Sequence, residues 1–412
     1  MPPVRLSLRA LLILSTTASS AHAQAVDSIT AMLKTDNAWT LAQQKSICEI
    51  PAPPFHEQAR GAEFKRRLEA LGLSARVDAV GNVIAERGAR GRGPTVVLSG
   101  HLDTVFPEGT DVHVTDANGR LSGPGIGDNC RGLAVVLAVA RAYQRFNPAH
   151  DGRIIFVGNV GEEGPGNLRG MRHLFERELK GQIDYLVAID GSGLNFVSRA
   201  VGSNRYKVSF KGPGGHSYGA FGIPNPIHAL GRAIAGISDL RVPANPKTTF
   251  NVGVISGGTS VNSIPFEASM EIDMRSESAE SLRAVDQAVR RALQQALDAE
   301  NARWPGERAA RARLTMVIDT IGIRPTGAQS DSARIVQVAL QAAKTLGFSP
   351  SPGASSTDAN VPISLGVPGI SMDGGGHDEG AHSLNEWYED GPSGWLGPQW
   401  AALVVARLAG VR

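Results

Sequence analysis

Four short apolar runs each end in polar or acidic residues: TVVLSGHLDTV (95–105), RIIFVGNVGEE (153–163), DYLVAIDGSG (184–193) and PGISMDGGGH (368–377). Apolar runs without alternation are what strands buried on both faces look like. Between them lie segments of helical character, such as RGLAVVLAVARAYQRF at 131–146. This alternation predicts an α/β fold: a mostly parallel sheet covered by helices on both faces. In such sheets the ligand site lies beyond the carboxyl ends of the strands. Here those ends carry His101, Asp103, Glu162, Glu163 and Asp190.

The rhythm changes in the middle of the chain. RYKVSFKG reads as a strand, 224–240 as a helix, TTFNVGVISGG and FEASMEIDMRS as two strands, and 279–300 as a long helix. Strand–helix–strand–strand–helix predicts an inserted α+β lid of the split βαβ, ferredoxin-like type. The expected organisation is a discontinuous larger domain, 24–199 plus 315–412, with a lid at 200–314. Nearer the start, 27–49 and 57–73 read as helices separated by the breaker PAPPF.

Residues 1–23 read as a cleaved secretory signal: Arg5 and Arg9 precede a short apolar run that ends in Ala21-His22-Ala23. A secreted or periplasmic location follows. No later stretch is apolar enough to span a membrane, so the mature protein is expected to be soluble. Removing the signal takes away two arginines and brings the formal charge from +2 to zero. A near-neutral body argues against nucleic acid or an anionic membrane as partner. Cys48 and Cys130 are the only cysteines, and one bridge is no framework for a chain this long. They are read as unpaired.

Adjacent glutamates, Glu162 and Glu163, repel unless a cation neutralises one of them. His101 and Asp103, two apart, present an imidazole and a carboxylate able to hold its tautomer. Asp128 sits in the glycine-rich loop GPGIGDNCRG, where a phosphate cradle is disfavoured by the aspartate and by the lack of a Gly-Lys-Ser/Thr ending. Asp190 follows five apolar residues, a costly place for a carboxylate without a cation or donor. In GGGHDEGAHSLNEW, His382 and His377 compete as a further ligand. Mixed nitrogen and oxygen donors suit zinc, and less selectively cobalt or manganese. More carboxylates than one zinc needs point to two ions sharing a bridging carboxylate, with one glutamate as ligand and its neighbour as base.

This set resembles the co-catalytic zinc peptidases, the family of peptidase T, glutamate carboxypeptidase, carnosine-type dipeptidases, aminoacylase and succinyl-diaminopimelate desuccinylase. The likeness covers nearly the whole mature chain. It implies that His101 is a ligand with Asp103 orienting it, and that Asp128 bridges two zinc ions (Co2+ or Mn2+ being the other options). It makes Glu162 the general base and Glu163 a ligand. Asp190 would share the His101 zinc, and His382 the Glu163 zinc. In the lid, GPGGHSYG implies that His216 stabilises the oxyanion; GGTSVNSIP and DMRS imply that Asn262 and Arg275 bind the substrate's polar end.

The resemblance also allows a homodimer through the lid. Two departures bear on the subgroup. Cys130 stands where many relatives have lysine. Asp190 stands where carboxypeptidase-like and aminoacylase-like members tend to have glutamate, which leans towards dipeptidases and aminopeptidases. EIPAPPFHEQAR leans the same way, towards peptidase T. The expected activity is hydrolysis of amide bonds in small peptides. The rival enzyme reading is an N-acyl amino acid deacylase or carboxypeptidase, and the rival from another class is a periplasmic protein that binds metal or peptide without turnover.

Overall fold

The computed structural model describes residues 25–88, 91 and 93–411. The signal expected at 1–23 lies outside them. The first helical region is two helices rather than one, 25–35 and α1 (Asn37–Cys48). At the break, the Thr35 hydroxyl donates to the Met32 carbonyl, a local bond that competes with helix continuation. The prolines after α1 cannot continue a helix, and the next begins at Gln58 and runs to Ala70.

Contacts divide the chain into two units, one running to Arg199 and resuming at Gln329, the other Ala200–Ala328. The first is built on a large mixed sheet. At its centre lie four parallel strands: β1 (Thr95–His101), β2 (Arg153–Asn159), β3 (Tyr185–Ile189) and β4 (Gly369–Met372), in the order β2-β1-β3-β4. The flanks are antiparallel, with Val83–Arg87 against β2 and Phe196–Ala200 against β4. Every residue of β1 and β2 is buried, because both faces are covered. Val96, Leu98 and Phe156 pack into a core that also holds side chains of α1, α2 (Cys130–Phe146) and the helix Leu396–Ala409. Val97, Ile155 and Val157 point into a second core with Leu168, Met171 and Phe175. The parallel register sets His101 beside Asn159, which aligns the carboxyl ends that carry the polar residues.

Cys48 and Cys130 form a disulfide, contrary to the sequence expectation. Their Cα atoms lie 5.4 Å apart, within the span a disulfide needs. The bridge ties the end of α1 to the start of α2. Eighty-two residues separate the two in sequence, so only the fold reveals the pairing.

The inserted unit has a four-stranded antiparallel sheet with its two long helices, Pro226–Ser238 and Ala279–Ala302, contributing to one core. Its strand order is Thr248–Gly257, Glu267–Ser276, Gly202–Lys211, Thr315–Arg324, the ferredoxin-like arrangement. The boundary expected at 314 moves to Ala328. Thr315–Arg324 pairs along Gly202–Lys211 and closes this sheet instead of returning to the larger one. Among the described residues no helix is long and apolar enough to cross a membrane.

Candidate metal centre

Four loops at the carboxyl ends of the central strands build the site. His101 ends β1 and is buried. Its Nδ1 lies 3.0 Å from the backbone carbonyl of Asp103. A carbonyl only accepts, so Nδ1 carries the hydrogen and Nε2 is the nitrogen left to act as a ligand. That Nε2 is 3.0 Å from Asp128 Oδ1 and 3.5 Å from Asp190 Oδ1. The second oxygen of Asp128 faces a different imidazole, His382 Nε2, at 3.1 Å. The same His382 nitrogen is 3.1 Å from Glu163 Oε1. The set thus falls into two halves, His101 with Asp190 and His382 with Glu163, and Asp128 stands between them with one oxygen towards each.

The electrostatics fit a cation-binding centre. Burial opposes charge on His101, but the carboxylates of Asp103, Asp128 and Asp190 outweigh it and hold the imidazole well above its ordinary range. Donation from its ring to the Asp128 and Glu163 carboxylates raises His382 to about 10. Burial would raise Asp128, but the two imidazoles prevail and hold it well below the usual carboxylate range. Burial raises Glu163. The carboxylates thus hold positive charge on two imidazoles at close range, as protons that a bound cation would displace. Ligand atoms of His101, Asp128 and Glu163 lie within 4.8 Å of one another. The mixed donors suit zinc, cobalt or manganese. A carboxylate with its two oxygens on different nitrogen donors is what a pair of ions would bridge.

The Asp103 carboxylate does more than sequence reasoning assigned to it. It is fully buried, and its two oxygens accept the backbone amides of Glu162 at 3.0 Å and Glu163 at 2.8 Å. Its nearest approach to the His101 ring is longer, 3.7 Å. It therefore fixes the glutamate loop directly, while its backbone carbonyl orients the imidazole. Glu162 is itself buried next to Glu163.

His382 is in the connection of a short hairpin, His377–Glu379 with Trp387–Glu389, whose second strand pairs with Arg120–Ser122 just before the Asp128 loop. His382 has φ +66°, a left-handed conformation that costs a non-glycine residue about 1–3 kcal/mol and tends to mark functional sites. The competing His377 points elsewhere: it is exposed, 3.5 Å from Glu379 and edge-on to Trp387. Gly125 (φ +79°) lets the Asp128 loop pass Thr104, where a Cβ would come within 2.7 Å of a methyl carbon.

Two buried acids escaped the sequence reading. Glu386 accepts the amides of Gly125, Gly127 and Asp128 at 2.8–3.0 Å, clamping the Asp128 loop. The only sequence signal was its position four residues after His382. Asp358 accepts from Asn159 Nδ2 at 2.7 Å, beneath the end of β2, and nothing in SSTDAN distinguished it from a surface aspartate.

The remaining candidates belong to the inserted unit. His216 pairs through its strand with Ser263, its Nδ1 accepts the amides of Tyr218 and Gly219, and Ser217 N donates to the Asn262 carbonyl. His216 and Asn262 are thus neighbours within that unit. Arg275 lies on the sheet, its Nε donating to Asp273 at 2.7 Å.

Comparison with known proteins agrees with this architecture. The chain is 25% identical over 359 residues to protein YqjE of Bacillus subtilis (strain 168), covering 82% of this chain and 90% of that one. Aminopeptidase PepT from Bacillus cereus ATCC 10987 shares the fold with a TM-score of 0.69 at 21% identity, over 90% of this chain and 97% of that one. The YXEP protein of Bacillus subtilis, described as a dinuclear metal-binding peptidase of family M20, superposes with a TM-score of 0.65 at 18% identity, over 92% of this chain and 100% of that one. Residues 97–393, which hold every metal-ligand candidate, match peptidase family M20/M25/M40, and the chain belongs to that family.

Proposed function

We propose that this chain is an exported, dizinc-dependent hydrolase of amide bonds in small peptides, of the dipeptidase or aminopeptidase type. The observation that supports this reading is one carboxylate, Asp128, shared between two imidazoles, with the pair Glu162–Glu163 beside it. His101 with Asp190, His382 with Glu163, and Asp128 between them would hold divalent cations, which would supply Lewis-acid polarisation of the scissile carbonyl and acidify the attacking water. Glu162 takes the proton of the attacking water and passes it to the leaving nitrogen. Asp103 holds the Glu162 and Glu163 amides, so base and ligand keep a fixed spacing. Glu386 does the same for the Asp128 loop. Resemblance alone assigns His216 to the oxyanion, and Asn262 and Arg275 to the substrate's polar end.

A binding protein has no use for a base beside its ligand, and Glu162 therefore favours turnover. Glu162→Gln should keep the metals and lower kcat by roughly 10²–10⁴-fold, the usual share of general acid–base catalysis. Near-normal turnover by that variant with zinc bound would remove Glu162 from the base role. Assaying unblocked di- and tripeptides beside N-acyl amino acids separates the peptidase from a deacylase.

A further inference from the structure

The loops that carry the candidate ligands continue beyond them as the walls of a cavity. After His101 and Asp103 the chain runs through Val105, Phe106 and Pro107, and after Glu163 it reaches Pro165. With Pro53, Pro54 and the exposed His56 from the segment after α1, these residues line a cavity of about 380 Å³ open to solvent, and Glu163 and Glu108 form part of the wall. That volume lies near the lower end of the range for ligand sites, roughly 300–1,000 Å³, which suits one large side chain rather than a whole bulky ligand.

The walls are preformed. Proline has one backbone torsion fixed. The segment before the cavity is clamped to the His101 loop: Thr104 N donates to Ala52 O at 3.0 Å, and the buried Arg60 bonds both Ile50 O and Leu102 O at 2.9 Å. A preformed, largely apolar hollow spares an incoming side chain the entropy of ordering its surroundings.

We propose that this cavity is the subsite for the substrate side chain on the carbonyl side of the scissile amide, and that it takes a large apolar side chain, aromatic or branched aliphatic. The inference rests on the amidohydrolase reading above and adds a substrate class to it. Glu163 belongs both to the metal-ligand set and to the cavity wall, so a side chain filling the hollow lies beside the polarised carbonyl. An acidic side chain would meet two carboxylates, Glu163 and the exposed Glu108, against one exposed imidazole, His56. A basic one would lose hydration against proline, valine and phenylalanine, while Glu163 is already engaged by His382 at 3.1 Å.

The test is calorimetric binding of amino-acid hydroxamates to zinc-loaded protein, with peptide turnover measured on the same samples. L-Phenylalanine hydroxamate should bind at least roughly tenfold more tightly than glycine hydroxamate, the scale on which apolar pockets discriminate. Two cavity-filling variants, Pro165→Trp at an exposed position and Val105→Phe, should erase that advantage while glycine hydroxamate affinity stays within about twofold. A phenyl advantage that survives both variants, a wild type that binds the two equally, or tighter binding of lysine hydroxamate would each overturn the subsite. A retained and cavity-dependent phenyl advantage without any peptide hydrolysis would instead strike the peptidase reading and leave the side-chain pocket standing.

Discussion

Asp103→Asn separates two roles for one carboxylate. If it served only to orient His101, the substitution would be mild, because the ring nitrogen already meets the Asp103 backbone carbonyl, which asparagine keeps. The geometry predicts a larger effect. Asparagine retains one acceptor oxygen and turns an NH₂ group towards the second of the Glu162 and Glu163 amides. A hydrogen bond to a charged group contributes about 1.5–3 kcal/mol, and a buried donor left unmet costs a similar amount. Both figures describe the same loss, so about 2–3 kcal/mol is expected.

The substitution also removes a negative charge that supports the Arg60 guanidinium, which burial lowers to about 10. Expressed wholly as metal affinity, the loss corresponds to roughly 30–150-fold, at the upper end of what partners of metal ligands contribute. Zinc titration by calorimetry reads the affinity. Thermal unfolding of metal-free protein reads the part felt in folding, where the whole loss would lower the midpoint by roughly 5 °C. Affinity within about threefold of wild type, together with an unchanged unfolding midpoint, would refute the reasoning.

Two further predictions concern stability. Replacing Cys48 and Cys130 together by alanine should cost about 2–4 kcal/mol, because their bridge closes a long loop; an unchanged denaturation midpoint under oxidising conditions would contradict the bridge. Burial pushes the Asp358 carboxyl up to about 7. A raised acid contributes stability that is full below its ordinary value and is lost as pH rises through the folded value. In metal-free protein, Asp358→Asn should therefore gain stability relative to wild type as pH climbs from 5 to 8; a difference that stays flat across that window would show that Asp358 does not titrate there.

The central sheet was legible because each strand buried on both faces must be apolar along its length, as Val96–Leu98 and Ile154–Val157 are. Its register then brings the chemistry after each run to one edge. The choice between His377 and His382 was not legible from residue type, since both lie in the same glycine-rich segment; the hairpin that turns His382 towards Asp128 decides it. Thr315–Arg324 has the half-exposed character of an edge strand, and nothing in TMVIDTIGIR says which sheet it edges. The Cys48–Cys130 pairing was missed for a similar reason, being a long-range contact. Glu386 and Asp358 illustrate another limit: a buried carboxylate and a solvated one share a letter, and only burial with donors around it reveals the clamp.

Metal stoichiometry tests most directly whether Asp128 is shared by two metal ions, as proposed. Zinc-loaded, gel-filtered protein should carry about two zinc ions per chain by elemental analysis, and Asp128→Ala should weaken retention of both, because both lose a ligand. Wild-type protein that retains no zinc, or an Asp128→Ala variant that still holds a full complement, would contradict the account.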